Sequence, residues 1–118
     1  MELDRRQEGN ARVISVKGRL DAATSPGFER EVEGFLHKGE NVLVIDLKDL
    51  EYISSAGLRS ILAITKQIKE KHGTLFLSSL QAAVKEVFDI SGFNAIIPIY
   101  ATLESAMNDI KKLKTEAV

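Results

Sequence analysis

Three features of the sequence predict an α/β fold, a mixed and mostly parallel sheet of about five strands with about four helices. Residues 41–47, Asn-Val-Leu-Val-Ile-Asp-Leu, form a nearly continuous β-branched and aliphatic run, the pattern of a central strand covered on both faces. From there to the C-terminus, helix-period segments alternate with short apolar ones, the signature of parallel strands joined by helical crossovers. Near the N-terminus, Gly9-Asn10 separates two strand-like segments and favours a hairpin turn.

In chain order, residues 2–7 alternate weakly and pair across Gly9-Asn10 with a strand over 11–17, centred on Val13, Ile14 and Val16. Ser25-Pro26 supplies a helix start, since the serine can cap free N–H groups and proline at the first helical position loses no hydrogen bond. Phe28, Val32, Phe35 and Leu36 then share one face, and His37-Lys38-Gly39 makes a C-terminal stop. After the central strand, a second helix begins at Ser54 or Ser55, buries Leu58, Ile61, Leu62, Thr65 and Ile68, and stops at Lys71-His72-Gly73 by the same chemistry. A strand over 75–77, a helix carrying Val84, Val87 and Phe88, a strand over 96–99 and a last helix using Leu103, Met107 and Ile110 complete the order. Pro98 lacks an N–H, which assigns the last strand to an edge.

The 118 residues suit one domain, residues 1–118, with a single hydrophobic core. At 44% hydrophobic and 28% charged, the composition suggests neither disorder nor a fibrous architecture. Sixteen basic against seventeen acidic side chains provide no general attraction to nucleic acid phosphates or an anionic membrane, so no nucleic acid partner is expected. Lys111, Lys112 and Lys114 are explained by the preference of a helix C-terminus for cations. The absence of cysteine excludes disulfides and thiolate chemistry and suits a reducing compartment. No apolar run approaches the ~20 residues of a membrane span, and Met-Glu-Leu-Asp-Arg-Arg-Gln-Glu does not read as a signal peptide. A cytoplasmic protein without membrane insertion, monomeric by default, is the expectation.

Catalytic chemistry finds little support. The two histidines, His37 and His72, each precede a glycine at a predicted helix end, where charge complementarity to the helix accounts for them. Without a histidine base a serine hydrolase triad has no foundation, and no zinc spacing can be composed. The eight glycines fit neither a P-loop nor a dinucleotide fingerprint, so no cofactor is expected. Asp46 is the conspicuous acid, because a carboxylate at a central strand needs a partner. A hydrogen-bonded group fixing the next loop is favoured over the phosphoacceptor of a receiver domain, whose magnesium-holding acids and late lysine cannot be placed.

The most informative segment runs Asp46-Leu47-Lys48-Asp49-Leu50-Glu51-Tyr52-Ile53-Ser54-Ser55-Ala56-Gly57-Leu58-Arg59, a buried strand leading through a loop to a helix opened by two serines. With the earlier Val16-Lys17-Gly18-Arg19-Leu20-Asp21, it resembles the recurrent motifs of the STAS domain family and, within it, of bacterial anti-sigma factor antagonists. The resemblance covers essentially the whole chain and implies partner switching by a non-enzymatic protein. In that mechanism the unmodified antagonist binds an anti-sigma factor that is also a serine kinase of the histidine-kinase-like ATPase type, which releases a sigma factor. Phosphorylation at the helix start breaks the complex, and a metal-dependent phosphatase of the PP2C type restores it. Carried over residue by residue, the acceptor falls on Ser55, with Ser54 as the alternative. Asp21, Ser54, Ser55, Gly57 and Leu58 fall on the partner-binding surface.

One departure stands out: many relatives carry aspartate immediately before the acceptor, where this chain has Ser54. Either hydroxyl could cap the helix while the other accepts phosphate, and alignment on Gly57 favours Ser55. Phosphate adds about 1.5 to 2 negative charges, and at a helix N-terminus these meet a favourable field, so the fold is expected to survive while the interface suffers. Exposed apolar groups beside Ser55, with Leu58 and Ile53 as candidates, would supply contact area. Competing readings are a constitutive STAS-type accessory subunit of a membrane transporter or signalling complex, which needs no phosphorylation, and a receiver-like phosphoacceptor centred on Asp46.

Overall fold

The computed structural model describes residues 1–116, with side chains through Leu113. The chain forms a six-stranded sheet with four α-helices and a short 3₁₀ turn. Strands β1 (Glu2–Glu8) and β2 (Ala11–Leu20) make the hairpin read from the sequence, with Glu8 opposite Ala11 and the two-residue turn entered through Gly9 at φ +61°. Positive φ is where glycine replaces strain with freedom. Helix α1 (Ser25–His37) follows, then β3 (Val42–Asp46), β4 (Leu50–Ile53), α2 (Ser55–Glu70), β5 (Thr74–Ser78), α3 (Ala82–Ser91), the 3₁₀ turn Phe93–Ala95, β6 (Ile99–Tyr100) and α4 (Leu103–Glu116).

The strand order is β1-β2-β3-β5-β6; β1 is antiparallel to β2, and every other pairing is parallel. The sixth strand is β4, which lies in the stretch read as a loop. It is four residues long and buried only at Leu50 and Ile53, so it shows no period to recognise. It forms because β2 is shared. Arg12–Ser15 pair with β3, the register then breaks at Gly18, φ +98°, and Gly18–Leu20 pair with β4. A bulge of this kind redirects a strand.

The two sheet faces are covered unequally. Helices α1, α2 and α3 enclose the main core, which includes Ile14, Leu20, Phe28, Val32, Ile45, Leu47, Ile61, Ile64, Leu77 and Phe88, all fully buried. On the opposite face α4 packs Ala106 and Ile110 against Ala11, Val13, Val44 and Phe76. Beyond α4 this face turns polar, with Ser15, Asp46 and Ser78 in register across β2, β3 and β5.

Several local expectations need correction. Ser25 does not cap α1: it is the buried first residue, Pro26 is the second, and Thr24 is the cap position without a side-chain cap bond. The Asp21 carbonyl accepts both the Ser25 N–H at 2.8 Å and the Ser25 hydroxyl at 2.6 Å, so the helix is braced from four residues upstream. On α2, Leu62 is only half-buried, and Ile64 takes the interior place instead. The turn after α2 puts His72, not Gly73, at positive φ. Gly73 is needed because a Cβ there would come within 2.3 Å of the Asn41 carbonyl oxygen. The last strand is shorter and later than residues 96–99, because Ile96 follows the 3₁₀ turn and Ile97 is buried before pairing starts; β6 is an edge strand, as Pro98 implied. Lys111 and Lys112 lie on α4, with Lys112 3.6 Å from Asp109, whereas the side chain of Lys114 lies outside the described residues.

Candidate switch surface at the start of helix α2

Ser54 and Ser55 stand where β4 hands the chain to α2. Backbone pairing fixes the place: the Ser54 N–H donates to the Leu20 carbonyl at 3.0 Å, tying the start of α2 to the end of β2. The same carbonyl explains Gly57, where a Cβ would sit 2.4 Å from the Leu20 oxygen and 2.8 Å from Ile53 Cγ1. The first turn of α2 therefore rests directly on the end of β2, and glycine permits that approach.

The two hydroxyls have different work. Ser54 is the N-cap, in extended conformation, and its Oγ accepts the Gly57 N–H at 3.2 Å while its carbonyl accepts the Leu58 N–H at 2.9 Å. Ser55 is the first helical residue and is exposed; among the described residues, nothing hydrogen-bonds to its side chain. Gly57 and Leu58 are buried, Leu58 within the main core, and Ile53 is 4% exposed. Neither Ile53 nor Leu58 supplies the exposed apolar area expected beside Ser55. Tyr52 does: it is 42% exposed, with the Arg19 guanidinium stacked 4.1 Å from its ring centroid. That pair was not legible in the sequence, because it depends on the register that sets Arg19 opposite Tyr52.

Asp21 follows Leu20 directly and so lies at the neighbouring strand end. Its Oδ1 accepts the N–H groups of Ala23 and Thr24, each at 3.1 Å, and its Oδ2 lies 3.5 Å from Arg19 Nε. The Thr24 N–H, more than any other group, holds this carboxyl below the ordinary carboxylate range; desolvation opposes it, and the Thr24 hydroxyl, the Ala23 N–H and Arg19 add to the lowering. Asp21 is thus an ionised group that fixes the turn into α1 while presenting charge beside the helix start. The structure brings Asp21, Ser54 and Ser55 to one end of the sheet and turns Gly57 and Leu58 inward.

Asp46 behaves as a structural carboxylate. Its Oδ1 accepts the Lys48 N–H at 3.2 Å and lies 3.5 Å from the Ser78 hydroxyl, which holds the loop to β4. Among the described residues no group of three or more His, Asp or Glu side chains is placed to hold a metal ion, and no helix is long and apolar enough to cross a membrane.

A six-stranded sheet of this order, with a capped helix resting on the bulged second strand, defines a STAS domain. The STAS family model matches residues 2–106, and the chain belongs to that family. BtrV of Bordetella bronchiseptica, named as a candidate anti-sigma factor antagonist, is 40% identical over 94 residues, 80% of this chain and 81% of BtrV. The crystal structure of a candidate anti-sigma factor antagonist of Thermotoga maritima superposes with a TM-score of 0.88 at 26% identity, covering 92% of this chain and 94% of the other. SpoIIAA of Bacillus, an anti-sigma factor antagonist, has been solved in unphosphorylated and phosphorylated forms. The first has a TM-score of 0.73 at 17% identity, over 93% of this chain and 98% of SpoIIAA, a likeness of fold.

Proposed function

We propose that this chain is a cytoplasmic, non-enzymatic anti-sigma factor antagonist that acts by partner switching. Unmodified, it binds an anti-sigma factor that is also a serine kinase of the histidine-kinase-like ATPase type. Phosphorylation of Ser55 breaks the complex, and a PP2C-type phosphatase restores it. The observation that carries this reading is the division of labour between adjacent serines: Ser54 is consumed by the cap, and Ser55 offers an exposed hydroxyl that no other group engages among the described residues. SpoIIAA, which shares the fold, exists in a phosphorylated form.

The physics of the step is local. A phosphate at Ser55 adds about 1.5 to 2 negative charges at the start of α2, which the Ser54 N–H ties to the Leu20 carbonyl next to the ionised Asp21. A partner that accommodates a neutral hydroxyl against Tyr52, Arg19 and Asp21 would have to bury or repel that dianion. A loss of about 4 kcal/mol would weaken the complex about a thousandfold.

Intact-mass analysis with site localisation tests the assignment after incubation with ATP and an anti-sigma factor kinase from the same organism. One phosphate is expected on the unsubstituted protein and on Ser54→Ala, and none on Ser55→Ala. A complex that forms while no version is modified would instead favour a constitutive accessory subunit.

A further inference from the structure

Of the six arginines of the chain, two, Arg30 on α1 and Arg59 on α2, lie outside any ion pair among the described residues, and of these only Arg59 is on the helix that Ser55 opens. Arg5, Arg6, Arg12 and Arg19 each lie in an ion pair, with Glu31, Glu8, Glu40 and Asp21 respectively. Arg59 is exposed, and among the described residues no carboxylate pairs with it. Its helix neighbours three and four positions away are Ser55, Ala56, Leu62 and Ala63, none of them charged. Helical side chains lean toward the helix N-terminus, so a long residue covers the turn preceding its own Cα. For Arg59 that turn holds Ser55, on the same face at i−4, and Ala56, whose small side chain leaves room for a guanidinium.

We propose that Arg59 is the internal counter-ion of Ser55 in its phosphorylated form, an i,i+4 ion pair that assembles only after modification. This rests on the reading of Ser55 as phosphoacceptor. The acid precedes the base in the pair, the favourable orientation along a helix, and guanidinium matches phosphate oxygens bidentately. The nearby charges do not compete: Arg19 is held by Asp21 and Tyr52, and Glu51, exposed on β4, is of like sign to phosphate. Phosphorylation therefore changes the surface twice. It adds a dianion, and it withdraws the one cation of the first helical turns that the unmodified protein offers to an acidic partner group.

The test uses the full chain with phosphoserine installed at position 55 during translation, so it reads the pair whether or not a kinase modifies Ser55. The phosphorus resonance is titrated by NMR around the second ionisation, near pH 6 for a free phosphoserine. The midpoint is expected to rise in Arg59→Gln by about half a unit, a threefold change in proton affinity, and to return most of the way in Arg59→Lys. Equal midpoints for the unsubstituted protein and Arg59→Gln would overturn the pairing. So would a rise that Ala63→Gln, one turn further along α2, reproduces.

Discussion

At the scale of single residues, adjacent hydroxyls of the same chemistry are separated by what each touches. Ser54→Ala removes the oxygen that accepts the Gly57 N–H and should cost about 1 kcal/mol, read as a lower urea midpoint with unchanged slope. Ser55→Ala should leave the midpoint nearly unchanged, since alanine is a good helix former and the hydroxyl makes no bond among the described residues. Equal losses from the two substitutions would contradict the division of labour. Serine suits position 54 because it is a good N-cap. The assignment of Ser55 as acceptor rests on alignment at Gly57 and is tested by the phosphorylation experiment above. Which hydroxyl was the cap could not be read from the sequence, since either serine satisfies the local pattern and the Leu20 carbonyl beneath Gly57 decides the register.

At the scale of elements, the long periodic segments and the short apolar strand β5 were legible, whereas β4 was missed and β6 misplaced. Phe28, Val32, Phe35 and Leu36 line α1, and Val84 and Phe88 anchor α3, because apolar residues recur there at helical spacing. Strand β4 escaped because its partner is the far half of a strand already paired elsewhere, and β6 was misplaced because Ile96 and Ile97 look like a strand but lie in and after a turn. Helix α4 was legible as a helix, but its tether was not. The Tyr100 hydroxyl donates to Asp109 at 2.7 Å, and the phenol is pushed up to about 12, first by desolvation and then by that carboxylate. A folded-state pKa above the ordinary value stabilises the native state below pH 10 and loses that contribution as pH rises toward 12. Urea midpoints of Tyr100→Phe should therefore fall less between pH 10 and 12 than those of the unsubstituted protein.

At the scale of the molecule, the proposed switch surface sits on a frame that does not depend on it. The start of α2 is pinned by β2 and by the core beneath Leu58, so modification has little to melt. Ser55→Asp should keep the amide exchange protection of β2, β3 and β5 while weakening the partner complex at least tenfold by calorimetry. Loss of protection across those strands would mean that the charge acts through unfolding instead. Strand β1, at one border of the sheet, carries Glu2, Asp4, Arg5, Arg6 and Glu8 among its seven residues, with charge on both faces. Such a border is a poor template for a second copy's strand. Under the proposed role this bears on dosage: a regulator that works by outnumbering its partner can be made in excess without its sheets joining edge to edge, which leaves expression level free as a control.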